Sequence, residues 1–268
     1  MFKLISSTQN PVVKRILQLQ EKSRSRRKEG NFVIEGQREL KLAHQGGYDI
    51  QEIFFCRDLI PINELEHLLK NFPPDLQVTE LDAAVYHKLA YRGSTEGVLG
   101  IGKQKDLSLK YLELHSTNPL ILVAEAPEKP GNIGALLRTA DAANVDAVLI
   151  ANPQTDMYNP NIIRSSIGCL FTTRLGTGTS AEIIKYLRQQ KISIYAAALQ
   201  ASVPYNQIDF THPSAIVVGT EATGLSQEWL ESSTSNIIIP MRGAIDSMNV
   251  SVAAGILIFE AGRQRNFQ

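Results

Sequence analysis

Residues 237–263 read IIIPMRGAIDSMNVSVAAGILIFEAGR, and the folding of this stretch decides the architecture of the second half of the chain. Three isoleucines give a short buried-strand signal that stops at Pro240, which has no N–H to donate to a ladder. A turn containing Gly243 and Asp246 follows. Residues 250–261 are dominated by small and aliphatic residues, with no charge before Glu260. At helical spacing, Met248, Val252, Ile256 and Phe259 share one side, and Val250, Ala254, Leu257 and Ala261 another. A helix apolar on most sides is expected to be buried. Ala253, Ala254 and Gly255 remove side-chain bulk, so another backbone can approach there. Asp246, Ser247, Asn249 and Ser251 crowd the first turn, where unpaired N–H groups can hold a ligand. Taken alone, the stretch reads equally well as an ordinary core helix capped by Asp246 or Ser247.

Working outward, 268 residues of ordinary globular composition suffice for two domains. Cys56 and Cys169 are far apart and lack metal-ligand spacing, so neither a disulfide framework nor a metal site is indicated. No apolar run reaches membrane-spanning length, and MFKLISSTQNP lacks a signal-peptide core, so a reducing cytoplasm is the expected compartment. The formal net charge is zero but unevenly spread. Residues 1–30 carry Lys3, Lys14, Arg15, Lys22, Arg24, Arg26, Arg27 and Lys28 against Glu21 and Glu29. A basic arm on a neutral body points to a polyanion, because each phosphate neutralised releases counterions. A merely solvated charged helix is the plainer alternative.

Periodicity divides the chain into alternating elements. Residues 10–22 put Val12, Val13, Ile16, Leu17 and Leu19 on one face, an amphipathic helix, and 22–30 read as a polar, basic break. Strands are expected at 31–35, 50–56, 77–81 and 97–102, with helices at 36–46, 64–69 and 82–90. After a polar linker at 104–118, the apolar run LILVA at 120–124 opens a second set and has the character of a buried parallel strand. Helices follow at 134–144, 162–169, 181–190 and 249–264, and strands at 147–150, 192–197, 215–219 and 237–240. The expected fold class is α/β: a basic helical arm at 1–30, a small α/β domain at 31–103, and a parallel-sheet domain at 119–268.

Ligands of open parallel sheets bind at the carboxyl ends of strands. Three strand-ending segments here are rich in Gly, Asn, Glu and Ser. In EAPEKPGNIGALLRTA (125–140), Gly131 and Gly134 flank Asn132 and Ile133, which is not the GxGxxG dinucleotide pattern. Arg138 lies one helical turn after Gly134, where a guanidinium suits a phosphate or carboxylate. In GTEATGLS (219–226), Glu221 ends a strand and Gly224 gives close backbone approach; the bland alternative is a helix cap. The third segment is 237–263 itself.

NIGALLRTA, GTEATGLS and IPMRGAIDSMNVSVAAG together resemble motifs one, two and three of the SpoU (TrmH-type) RNA 2′-O-ribose methyltransferases of the SPOUT superfamily. Upstream, NPVVKRILQL and FVIEGQREL resemble the substrate-binding domain of that family's ribosomal-RNA branch, so the likeness covers nearly the whole chain. The resemblance implies a SPOUT domain with a deep trefoil knot, preceded by a small α/β RNA-binding domain, and a homodimer formed through the knotted domain. It implies S-adenosylmethionine as cofactor, held by Gly219, Ile239 and Met248 with Thr220, Glu221, Gly224, Met241 and Val250. Asn132, Arg138, Glu221, Ser247 and Asn249 match the polar catalytic positions. RNA contact falls to Arg138 and to Lys14, Arg24, Arg26 and Arg27.

The implied reaction is methyl transfer to a ribose 2′-OH, most directly of 23S ribosomal RNA. Arginine stays protonated at accessible pH, so a phosphate clamp suits Arg138 better than a general base. Met248 stands where the family more often has leucine, a swap that conserves volume. Residues 31–115 are net −4, from 9 basic and 13 acidic residues, so RNA contact in that domain is expected to rest on shape and single-stranded loops. A tRNA ribose methyltransferase and a catalytically silent RNA-binding protein of the same fold are the competing readings. The upstream domain disfavours the first, and the joint presence of Asn132, Arg138, Glu221 and Asn249 the second.

Overall fold

The structure, a computed structural model, describes residues 2–90, 96–200, 202–220, 223–244 and 247–267. The expectations for Glu221 and Asp246 fall outside the described residues. Contacts divide the chain into two units, Met1–Lys105 with Asp156–Thr172, and Asp106–Thr155 with Thr173–Gln268.

The first unit runs β1 (Lys3–Ile5), α1 (Pro11–Glu21), α2 (Ser23–Glu29), β2 (Asn31–Glu35), α3 (Gln37–Gln45), β3 (Ile50–Phe55), α4 (Ile62–Leu69), β4 (Gln77–Leu81), α5 (Ala83–Leu89) and β5 (Val98–Lys103). Its strands pair in the order β1-β4-β3-β5-β2, with β5 antiparallel to both β3 and β2. Val13, Ile16 and Leu19 of α1 are fully buried against Val85 of α5 and Leu99 and Ile101 of β5. Residues 1–30 are therefore built into this core rather than forming a separate arm.

The basic stretch expected as a break is helix α2. It follows directly on Lys22, the C-cap of α1, and ends on Gly30, whose φ of 67° gives the left-handed cap that glycine adopts at no cost. Two later helices, α7 (Pro160–Ser165) and α8 (Cys169–Thr172), complete the unit. The single helix expected at 162–169 is broken because Ile167 and Gly168 both have positive φ. The expected domain at 119–268 did not anticipate that 156–172 would leave it. Aromatic packing accounts for this: Tyr158 stacks on Phe32 at 4.6 Å, and Phe171 meets Tyr48 edge-on at 5.1 Å. The Tyr158 hydroxyl accepts from the Lys105 N–H and donates to its carbonyl. Burial pushes the Tyr48 and Tyr158 hydroxyls up, so both act as neutral hydrogen-bonding groups.

The second unit runs β6 (Leu120–Glu125), α6 (Pro130–Ala142), β7 (Ala147–Ala151), β8 (Leu175–Gly178), α9 (Ser180–Gln189), β9 (Ser193–Ala197), β10 (Val203–Pro204), β11 (Ser214–Val218), α10 (Gln227–Ser232), β12 (Ser235–Ile238) and α11 (Val250–Gln264). The strand order is β10-β12-β9-β11-β6-β7-β8, and every pair is parallel. β6 and β7 are buried along their whole length, as the unbroken apolar runs require. From β6 the chain builds outward to β7 and β8, then returns to lay β11 on the other side. The order thus reverses between β6 and β11, where a crevice opens at the strand ends. α6 begins at Pro130, a turn before the expected start, with proline at the first helical position.

α11 packs against α6, β6 and β11. It is not buried all round: Ala254, Leu257, Ile258 and Ala261 are inside, while Val252 and Phe259 are 53% and 43% exposed. Nor does Gly255 mark an unusually close approach, since a Cβ there would meet Thr139 Cγ2 at an ordinary 3.6 Å.

Candidate functional site

A narrow cleft of about 80 Å³ lies at the carboxyl ends of β6 and β11, where the strand order reverses. Ala124, Pro127 and Leu136 form one wall with Val250, the first residue of α11. Gly219 and Thr220, directly after β11, form another, and Glu128, Lys129 and Asn132 from the start of α6 edge the opening. All three segments expected to carry chemistry therefore meet at one place.

The loop after β11 is closed on itself. Thr220 and Gly224 exchange backbone hydrogen bonds, each 3.1 Å, and the Thr220 hydroxyl accepts from the Thr223 N–H and pairs with its hydroxyl. Gly224 takes a φ of 69°, and a Cβ on Gly219 would lie 2.3 Å from the Gly224 carbonyl. Glycine is thus required at 219 by the returning strand of the loop, and at 224 by its backbone angle.

Asn249 is the N-cap of α11, replacing the expected Asp246 or Ser247. Its Oδ1 accepts from the Ser251 N–H at 3.0 Å and from the Ser251 hydroxyl. Its Nδ2 donates to Asn132 Oδ1 at 3.2 Å. One amide thus caps α11 and ties it to the first turn of α6. Arg138, two turns along α6, is exposed and makes no hydrogen bond or ion pair with any described residue.

Of the expected cofactor residues, Gly219, Thr220 and Val250 line the cleft, and Gly224 shapes its loop. Ile239, Met241 and Met248 are half-buried and do not line it, and Ser247 is exposed beside Asn249. Among the expected RNA contacts, Lys14, Arg24 and Arg27 are exposed. Arg26 is not available: it is 2% exposed, bonded to the Asp156 carboxylate and to the carbonyls of Leu19 and Gln20. It holds the α1–α2 corner together.

The sequence reading gave no role to Glu125, the last residue of β6 and 6% exposed. Its Oε1 accepts from the hydroxyls of Ser180 and Ser226 at 3.0 and 2.7 Å, and its Oε2 from the Ser226 N–H at 2.8 Å. No lysine or arginine pairs with it among the described residues. A strand-ending carboxylate beside a glycine-rich loop was the available signal.

No helix among the described residues is long and apolar enough to cross a membrane. Family models match most of the chain: one described as the SpoU rRNA Methylase family over residues 119–259, and one as an MRM3-like substrate binding domain over residues 10–100. The chain is 26% identical over 257 residues to the 23S rRNA (guanosine(2553)-2′-O)-methyltransferase RlmP of Bacillus subtilis, covering 96% of this chain and 98% of that protein. A crystal structure titled as an RNA 2′-O ribose methyltransferase superposes with a TM-score of 0.84 at 36% identity, over 98% of this chain and 99% of that one. An AdoMet-bound rRNA methyltransferase from Sinorhizobium meliloti superposes with a TM-score of 0.89 at 26% identity, over 98% of both chains.

Proposed function

Because the chain belongs to the SpoU rRNA methylase family, we propose that it transfers the methyl group of S-adenosylmethionine to a ribose 2′-OH of 23S ribosomal RNA. The observation that carries this reading is the meeting of the three motif segments at one cleft, joined by the Asn132–Asn249 hydrogen bond. The cleft offers the cofactor apolar walls at Ala124, Leu136 and Val250 beside the bare backbone of Gly219. When bound, S-adenosylmethionine supplies a sulfonium-activated methyl group, which leaves sulfur as the ribose oxygen bonds to carbon.

The chain's own residues orient this displacement. Arg138, exposed and without a partner among the described residues, is assigned to clamp a backbone phosphate of the RNA and so fix the adjacent ribose. A guanidinium is no general base, so the hydroxyl's proton leaves to water or to the clamped phosphate. Asn132 and Asn249 tie the starts of α6 and α11 together, and Ser247 and, by its motif position alone, Glu221 are assigned as further polar groups of the reaction. The half-buried Ile239, Met241 and Met248 are assigned to the cofactor's apolar surround.

The substrate-binding domain matched at 10–100 favours ribosomal RNA over tRNA. Exposed Lys14, Arg24 and Arg27 supply phosphate contacts. The finer features belong to the same reading: a trefoil knot threading the C-terminal segment, a homodimer built on the exposed Val252–Phe259 face of α11, and work in the cytoplasm, where a ribosomal-RNA enzyme meets its substrate.

Calorimetric titration with S-adenosylmethionine, run beside tritiated-methyl transfer to unmodified ribosomal RNA and to tRNA, tests the reading. Cofactor binding with alkali-resistant label in ribosomal RNA is the expected result. Label in tRNA alone moves the substrate, and absence of cofactor binding overturns the enzyme.

A further inference from the structure

We propose that Glu125 is a positioning residue for the cofactor loop, acting through Ser226, and that Trp229 reports its state. The proposal rests on the methyl-transfer reading above. Adjacent residues of a strand face opposite ways, so Ala124 lines the cleft while Glu125 turns to the other side, beneath it. There the carboxylate takes both the N–H and the hydroxyl of Ser226, two residues past Gly224. Gly224 in turn is bound to Thr220 and pressed on Gly219, both of which line the cleft. One carboxylate therefore fixes the exit of the loop whose entry forms the cleft wall.

The far side of the carboxylate is equally committed. The Ser180 hydroxyl donates to Glu125 and accepts from Asn152 Nδ2 at 2.8 Å and from Trp229 Nε1 at 2.9 Å. That uses all of the hydroxyl's hydrogen-bonding capacity. Ser226 is the N-cap of α10 but makes no side-chain cap bond; its hydroxyl turns to the carboxylate and donates to Glu125 instead. A buried carboxylate with no cation paired to it among the described residues is costly, and apolar packing would serve stability better. Its geometry serves the loop.

Trp229 is the only tryptophan in the chain and is fully buried, so its emission reads this network without a label. The experiment compares Glu125→Gln, Ser226→Ala and Ser226→Thr with the wild-type protein. Cofactor affinity is followed by calorimetry and by Trp229 fluorescence, and the KM for S-adenosylmethionine is separated from kcat. The amide of Glu125→Gln cannot accept all three bonds, so KM should rise roughly tenfold or more, with kcat little changed and Trp229 emission shifted. Ser226→Ala should raise KM in the same direction, and Ser226→Thr, which restores the hydroxyl, should recover most of that loss.

Ile194→Val loosens the same core and is the stability control: its Tm should fall with cofactor KM unchanged. If Glu125→Gln and Ser226→Ala lower Tm like this control and leave cofactor KM alone, the network is only structural and the proposal is overturned. If Glu125→Gln does not fold, Ser226→Ala and Ser226→Thr decide the matter by themselves. If the wild-type protein shows no calorimetric binding of S-adenosylmethionine, the methyl-transfer reading itself fails, a result these variants cannot produce.

Discussion

In the proposed mechanism Arg138 and Asn249 have different duties, and single substitutions separate them. Arg138 has no intramolecular partner among the described residues, so replacing it should cost the fold nothing. Arg138→Lys keeps the charge and loses the planar fork. Single-turnover methyl transfer should fall by roughly 100-fold, with calorimetric cofactor binding preserved. Unimpaired transfer with normal RNA binding would remove Arg138 from the mechanism. Asn249 carries two duties on one amide, the α11 cap through Oδ1 and the tie to Asn132 through Nδ2. Asn249→Asp keeps the acceptor and loses the donor, so thermal stability should stay near wild type while transfer slows. Asn249→Ala loses both and should also cost about 1 kcal/mol in denaturant unfolding. Equal unfolding midpoints for the two variants would contradict the capping role. The helices that carry both residues were legible in the sequence, each as a helical stretch that follows a strand. Arg26 was not: whether an arginine faces solvent or interior depended on Asp156, 130 positions away, and nothing local distinguishes it from Arg24 or Arg27.

Helix α2 shows why that matters at the scale of an element. Its sequence, SRSRRKE, has no apolar period to announce a helix, yet Gly30 caps it and Arg26 pins its inner face. The outer face, with Arg24 and Arg27, is exposed and is the part proposed to meet RNA. Arg24→Ala with Arg27→Ala should leave Tm unchanged. The slope of log affinity for a ribosomal-RNA fragment against log salt should fall by about 1 per phosphate contact removed. Arg26→Ala should do the reverse, leaving Asp156 and two carbonyls without their donor and costing about 3–5 kcal/mol in urea unfolding. Elsewhere the elements were legible to the extent that their burial is one-sided or continuous. LILVA at 120–124 and AIVV at 215–218 lie on strands in the structure. Short edge strands such as β1 and β10 went unread, since two or three residues carry no period. α11 was expected to be buried on most sides, because composition cannot tell a core face from an exposed apolar one.

At the scale of the whole molecule, neither compact unit is a continuous piece of chain, since 156–172 belongs with the first although it is flanked on both sides by the second. The aromatic partners of Tyr158 and Phe171 are Phe32 and Tyr48, which sequence patterning alone could not pair. A fragment of residues 119–268 would expose Tyr158 and Phe171, and should be less soluble on expression than the full chain. Equal solubility would mean that 156–172 is not anchored as described. The exposed side of α11 leads to the last expectation. Val252 and Phe259 lie seven residues apart, with half-buried Ile256 between them, and make an apolar stripe of the kind a second copy covers in a two-fold helix contact. Multi-angle light scattering should give about twice the 29.6 kDa chain mass, and Val252→Glu with Phe259→Glu should return the single-chain mass. Because Val250 at the start of the same helix lines the cleft, separation of the copies should also weaken cofactor binding. A wild-type protein that runs at the single-chain mass at micromolar concentration would dismiss the dimer and leave the stripe without a partner. A dimer undisturbed by the two glutamates would place the contact on another face.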